Sequence, residues 1–170
     1  MASAMYAARN GSIDEFRQAY DEQRPEPTRY FLDALSNHDP QARVAISNFL
    51  LDEGADATTV EQGNSAINVM LGAGEHDAEL EAPLLQRLLD EGADPNHPSR
   101  RGDLPFLQLV RLPMLTNEQK LPLFRVLFAN PRFDVDVIVK LRGEPVPLRT
   151  YITAVGEVVD QAFGQERPEN

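Results

Sequence analysis

Apolar residues recur along this chain at helical spacing, in short runs separated by polar and glycine-rich turns. Ala42 to Phe49 places apolar side chains on one face and runs on into Leu50 and Leu51. Leu84, Leu85, Leu88 and Leu89 repeat the pattern, with Pro83 expected in the first turn, where a helix tolerates proline. Shorter apolar stretches, Ser65 to Leu71 and Pro105 to Val110, predict shorter helices. Each unit therefore reads as short helix, loop, longer helix, glycine turn. Asp39 before Pro40, Asp77, and Thr116 three residues ahead of Gln119 mark helix starts.

The pattern is periodic. Leu50-Leu51-Asp52-Glu53-Gly54-Ala55-Asp56-Ala57 and Leu88-Leu89-Asp90-Glu91-Gly92-Ala93-Asp94-Pro95 differ only in their last residue and lie 38 positions apart. Two leucines close an apolar face and a glycine takes the left-handed position beyond the last turn. The acidic pair before each glycine opposes the helix dipole. The acids thus serve solubility, or something other than helix stability.

Leu88 to Asn96 resembles the closing element of the ankyrin repeat, Leu-Leu-x-x-Gly-Ala-Asp-x-Asn. Gly102-Asp103-Leu104-Pro105-Phe106 is similar to that family's opening element, with Leu104 in place of threonine, and Gly63-Asn64-Ser65-Ala66-Ile67 is a second copy. Weaker echoes stand at Ala7 to Phe16, at Thr28-Arg29-Tyr30, at Leu127 to Asp136 and at Val146-Pro147-Leu148. The resemblance implies an all-α, ankyrin-like solenoid in a single domain of about four repeats, residues 1–24, 25–59, 60–98 and 99–139, plus a C-terminal capping helix over 145–163. The family's period is about 33 residues. The excess falls between paired helices, at 36–40, 72–77 and 112–117. A different helical-pair solenoid shares the same stacking logic and stays open.

Composition narrows the function. Of 170 residues, 42% are hydrophobic and 25% charged, as in ordinary soluble domains. Net charge is −11, from 16 basic and 27 acidic residues. That argues against a nucleic-acid ligand and favours a basic protein partner, or serves solubility alone. The absence of cysteine excludes disulfides and thiolate metal sites. Met1 to Phe16 carries Arg9, Asp14 and Glu15 and lacks an export-type apolar core, and no apolar run is long enough to span a membrane, so a cytoplasmic protein is expected.

Catalytic patterns are not found. His38, His76 and His97 lack metal-ligand spacing. His38 and His76 share the repeat offset and read as equivalent surface loops, and His97 reads as a turn residue. Gly72-Ala73-Gly74 is too short for a phosphate loop. Repeated, exposed carboxylates offer no contrast of environment to separate acid from base. No cofactor, metal or catalytic residue is expected.

The resemblance places partner binding on inter-repeat turns and the exposed side of each first helix. The residues it selects are Glu61, Gln62, Asn64, Arg100, Arg101, Asp103 and Arg111. Arg100-Arg101 is a local basic spot suited to a carboxylate. Tyr30 and Tyr151 are candidate anchors, while Phe106 reads as core. The expected function is a non-catalytic protein-interaction module, monomeric unless the apolar C-terminal flank dimerises. Alternatives are an immunity protein that neutralises a basic toxin and, less favoured, an enzyme.

Overall fold

Polar caps divide the chain into helices. A computed structural model describes residues 2–168. Among these, ten α-helices run in order: α1 Ala4–Asn10, α2 Ile13–Gln23, α3 Phe31–Leu35, α4 Pro40–Asp52, α5 Ala66–Leu71, α6 Ala78–Asp90, α7 Pro105–Val110, α8 Asn117–Ala129, α9 Leu148–Val155 and α10 Glu157–Glu166. Ser3, Ser12, Asp39, Ser65, Asp77 and Thr116 accept backbone N–H bonds at helix starts. Ser12 with Glu15, Ser65 with Asn68 and Thr116 with Gln119 close reciprocal capping boxes.

The helices pack in two ranks. Short helices α1, α3, α5 and α7 pack each on the next, and long helices α2, α4, α6, α8 and α10 do the same. Each short helix also packs on the long helix that follows it. One apolar core runs through every pair, from Ala4 to Phe163. Phe16, Tyr20 and Phe49 cluster at one end. Phe106, Phe124, Phe128 and Phe133 cluster towards the other, and Phe163 closes on Phe128.

The repeated Leu-Leu-Asp-Glu-Gly-Ala-Asp segments end α4 and α6 alike. Gly54 and Gly92 adopt φ of 102° and 105°. Ala55 N–H donates to the Leu50 carbonyl and Ala93 N–H to that of Leu88, each at 2.9 Å. These bonds satisfy carbonyls that the helix itself leaves open. Asp56, Asp94 and Asp134 then each accept the backbone N–H two residues on, at 2.8–2.9 Å. The two Thr58 bonds hold the Asp56 carboxyl below its ordinary range. Arg87 pairs with Asp52 at 2.8 Å, which ties α4 to α6, and with Glu91 at 2.7 Å one turn on at the end of its own helix, so neither acid opposes a bare dipole.

Three expectations need correction. The fold is mostly helical but not all-α: β1 Val60–Glu61 pairs antiparallel with β2 Asn64–Ser65, and β3 Ile138–Leu141 with β4 Glu144–Pro147. Strands of two residues carry no period to read, and Pro145 and Pro147 suit an edge strand as well as a turn. The single helix expected over 145–163 is instead the end of β4 followed by α9 and α10, with the chain extended at Gly156. Gly156 lies so close to α8 that a Cβ there would meet Asn117 Nδ2 at 3.1 Å. Pro83 sits inside α6, not in its first turn, because the Asp77 cap starts that helix five residues earlier.

Buried charge holds the first two excess segments between paired helices and the end of α7 ahead of the third. Arg43 and Glu81 form an ion pair in which both side chains are 0% exposed. Arg43 also donates to the carbonyls of Asn37 (2.6 Å) and Glu75 (2.8 Å). Glu81 accepts the Asp77 N–H at 2.9 Å and contacts His76 Nδ1 at 3.1 Å. Lys120, 4% exposed, donates to the Val110 carbonyl at 2.7 Å. Burial pushes its ammonium below the usual lysine range. Arg43, Glu81 and Lys120 each stand four residues after a helix cap (Asp39, Asp77 and Thr116), so one position in three successive long helices carries a buried charge.

Candidate functional site

Hairpin tips and short helices meet in a polar trough. The β1–β2 turn depends on left-handed backbone at Gln62 (φ 50°) and Gly63 (φ 83°). Gly63 lies against the next turn, where a Cβ would meet the Arg100 Cα at 3.4 Å. The Arg100 N–H donates to Asn64 Oδ1 at 2.8 Å, which locks the hairpin to the 99–103 turn. That turn closes on itself through Ser99 N–H to Asp103 O (2.8 Å) and Gly102 N–H to Ser99 O (2.7 Å).

Below the two turns lies a depression of about 770 Å³ lined by Asn64, Asn68, Gly72, Arg100, Arg101 and Gln108, among others. A second, of about 240 Å³, is lined by Arg9, Leu32, Asp33, Glu61 and Gln62. Ser36, Asn64 and Val69 line both, so the two are parts of one trough that crosses α1, α3, α5 and α7.

The floor is fixed by an amide ladder. Asn68 Nδ2 donates to Gln108 Oε1 (2.8 Å) and to the His97 carbonyl (3.0 Å). Gln108 Nε2 returns a bond to the Asn68 carbonyl at 3.2 Å. Asn68 Oδ1 meanwhile accepts the Ser65 N–H, so this side chain is spent on structure.

The seven residues selected from sequence come together here. Glu61, Gln62, Asn64, Arg100, Arg101 and Asp103 line the trough, and Arg111 reaches it by pairing with Asp103 at 2.6 Å. Arg9, Ser36, Asn68, Val69, Ser99 and Gln108 are lining residues that the motif did not select. Counting from each turn to the partly exposed side of the following short helix would have found Val69 and Gln108, whereas Asn68 is buried and carried no such signal. Arg9 and Asp33 pair at 2.6 Å. Arg111 and Arg9 therefore occupy Asp103 and Asp33, and among the described residues the Arg100 and Arg101 side chains have no carboxylate partner. The site's uncommitted charges are two exposed guanidinium groups and Glu61.

Phe106 is fully buried, and Tyr151 packs edge-on against it. Tyr30 is half-buried against the core. The histidines separate by environment. His38 is exposed, whereas the His76 side chain is only 1% exposed and bridges Glu81 and the Ala73 carbonyl. The two are equivalent in position but not in burial, which corrects the reading of both as surface loops. The buried Arg43–Glu81 pair accounts for the difference, since Glu81 draws His76 inward. Among the described residues no three His, Asp or Glu side chains gather as metal ligands, and no helix is long and apolar enough to cross a membrane.

No protein-family model and no curated protein matches the sequence. Among solved structures, the chain is similar to the crystal structure of a functionally unknown protein from Leptotrichia buccalis. The two share 16% identity over 98% of this chain and 93% of that one, with a TM-score of 0.75. At that identity the likeness speaks for the arrangement of helices and hairpins alone.

Proposed function

We propose that this chain is an ankyrin-type solenoid that acts in the cytoplasm as a non-catalytic protein-binding module, with the trough as its docking face. Supporting the solenoid are the two ranks of helices, the matched endings of α4 and α6, and hairpins that each precede a short helix. The same order of hairpin, short helix and long helix recurs at β3, β4, α9 and α10, which favours a fifth unit over a lone terminal cap.

One observation carries the binding reading. The residues selected by the ankyrin resemblance converge on a single open trough whose floor is internally bonded and whose rim holds two arginines with no carboxylate partner among the described residues. A preorganised floor loses little conformational entropy on binding. The immunity reading draws on the −11 charge, but the trough lining carries three arginines against three carboxylates, so the acidic excess lies elsewhere.

Val69→Tyr fills the centre of the trough without adding charge. Cross-linking of tagged full-length chain in extract of its native cell is expected to yield one stoichiometric protein partner, and Val69→Tyr to weaken that capture at least tenfold. Equal capture by Val69→Tyr of unchanged thermal stability would contradict the trough as the binding face.

A further inference from the structure

We infer that the trough accepts a short, extended, acidic segment of a partner protein, gripped through its carboxylates by Arg100 and Arg101. This rests on the trough reading above and adds the chemistry of the occupant.

Charge is the first ground. Arg9 and Arg111 are committed to Asp33 and Asp103, while Arg100 and Arg101 stand on the rim without a carboxylate among the described residues. Their backbones are held by Asn64 and by Ser99 Oγ, so the two guanidinium groups project from a fixed turn. Planar guanidinium forks suit bidentate carboxylate recognition. The rest of this −11 molecule repels an acidic chain. Only a placement that sets the carboxylates at the two arginines is favourable, and that gives register as well as affinity.

Dimensions are the second ground. The trough crosses four successive short helices. Packed helix axes lie roughly 9 Å apart, so three intervals span about 27 Å. An extended chain rises about 3.3 Å per residue, so about eight residues fill that length. Leu32 and Val69 give the middle of the trough its apolar floor. Val69 is on α5 and the Arg100–Arg101 turn leads into α7, so about one helix interval, roughly 9 Å, separates them. The occupant therefore carries an apolar residue about three positions from its acidic pair. An isolated peptide of this length forms no stable helix, which suits an extended guest.

The test uses fluorescein-labelled eight-residue peptides with leucine at the third position and glutamate, glutamine or lysine at the sixth and seventh, titrated against the full chain by anisotropy. The glutamate peptide is expected to bind at least tenfold more tightly than the glutamine peptide, with the lysine peptide weakest. Arg100→Glu with Arg101→Glu should invert that order. If the charge reversal disturbs folding, Arg100→Gln with Arg101→Gln should abolish the difference between glutamate and glutamine. Equal binding of all three peptides, no binding of the glutamate peptide, or an order unchanged by the arginine substitutions overturns the inference. The two readings fail differently. Native-partner capture lost in Val69→Tyr but kept in the arginine variant leaves the trough standing and removes the acidic occupant. Capture kept in both removes the trough itself.

Discussion

Arg43 and Glu81 show what a charged side chain does when it sits where the helical pattern calls for an apolar one. Each lies one position from a small buried alanine, Ala42 or Ala82, on the inward stripe of a long helix. Read along one helix, either charge passes for solvent-facing. Counted four residues from the caps Asp39, Asp77 and Thr116, they align with Lys120, and the alignment marks a buried column. Removing one partner strands the other charge in the core, at a cost of about 3–5 kcal/mol, whereas replacing both with apolar residues is often near neutral. Urea unfolding should therefore find Glu81→Ala and Arg43→Ala each strongly destabilised. Arg43→Met with Glu81→Leu should cost less than the sum of the two single changes but not return to wild type, because the Asn37 and Glu75 carbonyls and the Asp77 N–H lose their partners; additive losses would show the pair to be uncoupled. Lys120 allows a pH test. Its ammonium is disfavoured in the folded chain, so the unfolded chain binds more protons between the depressed pKa and the ordinary lysine value. Stability of the wild type relative to Lys120→Met should therefore rise with pH through that alkaline window. A flat difference across it would contradict the assigned burial effect.

At the scale of elements, helices were legible wherever cap, apolar stripe and glycine ending occurred together. Ser65 caps α5 and Pro105 opens α7, as their spacing predicts. Hairpins and the C-terminal break were not legible, since β1 and β2 hold two residues each and are made by left-handed Gln62 and Gly63, not by alternation. The matched glycine endings differ in one testable respect. A Cβ at Gly54 would meet nothing within 4 Å, whereas one at Gly92 would approach Thr58 Cγ2 at 3.1 Å. Both positions have left-handed φ, which costs an alanine about 1–2 kcal/mol. Thermal unfolding should show Gly92→Ala to be the more damaging change, and Gly92→Ala paired with Thr58→Ser should fall back to the Gly54→Ala value. Equal effects of the two single changes would imply that the Thr58 methyl moves aside freely.

For the whole molecule, the residues that the ankyrin resemblance selects come together along the trough, and the charge balance altered their meaning. The −11 total suggested a basic partner, but pairing of Arg9 with Asp33 and Arg111 with Asp103 leaves Arg100 and Arg101 as the rim's uncommitted cations among the described residues. No composition count can show which charges are already spent. Stacking also makes each unit depend on its neighbour. Phe128 packs on Phe163, and Arg167 donates to the carbonyls of Phe128, Asn130 and Phe133 at 2.7–2.9 Å. Deleting residues 138–170 uncovers Phe128 and those carbonyls, so the shortened chain should melt lower and bind a dye for exposed apolar surface. An unchanged melting curve would show that α8 closes the stack without α10.

Amide chemical-shift mapping of the full chain with the glutamate-bearing peptide locates the docking face residue by residue. Docking in the trough should give shifts confined to it, at Asn64, Val69, Gly72, Arg100, Arg101 and Gln108, and lost in the Val69→Tyr variant. Shifts concentrated on the long-helix rank, or an unperturbed spectrum at saturating peptide, would contradict it.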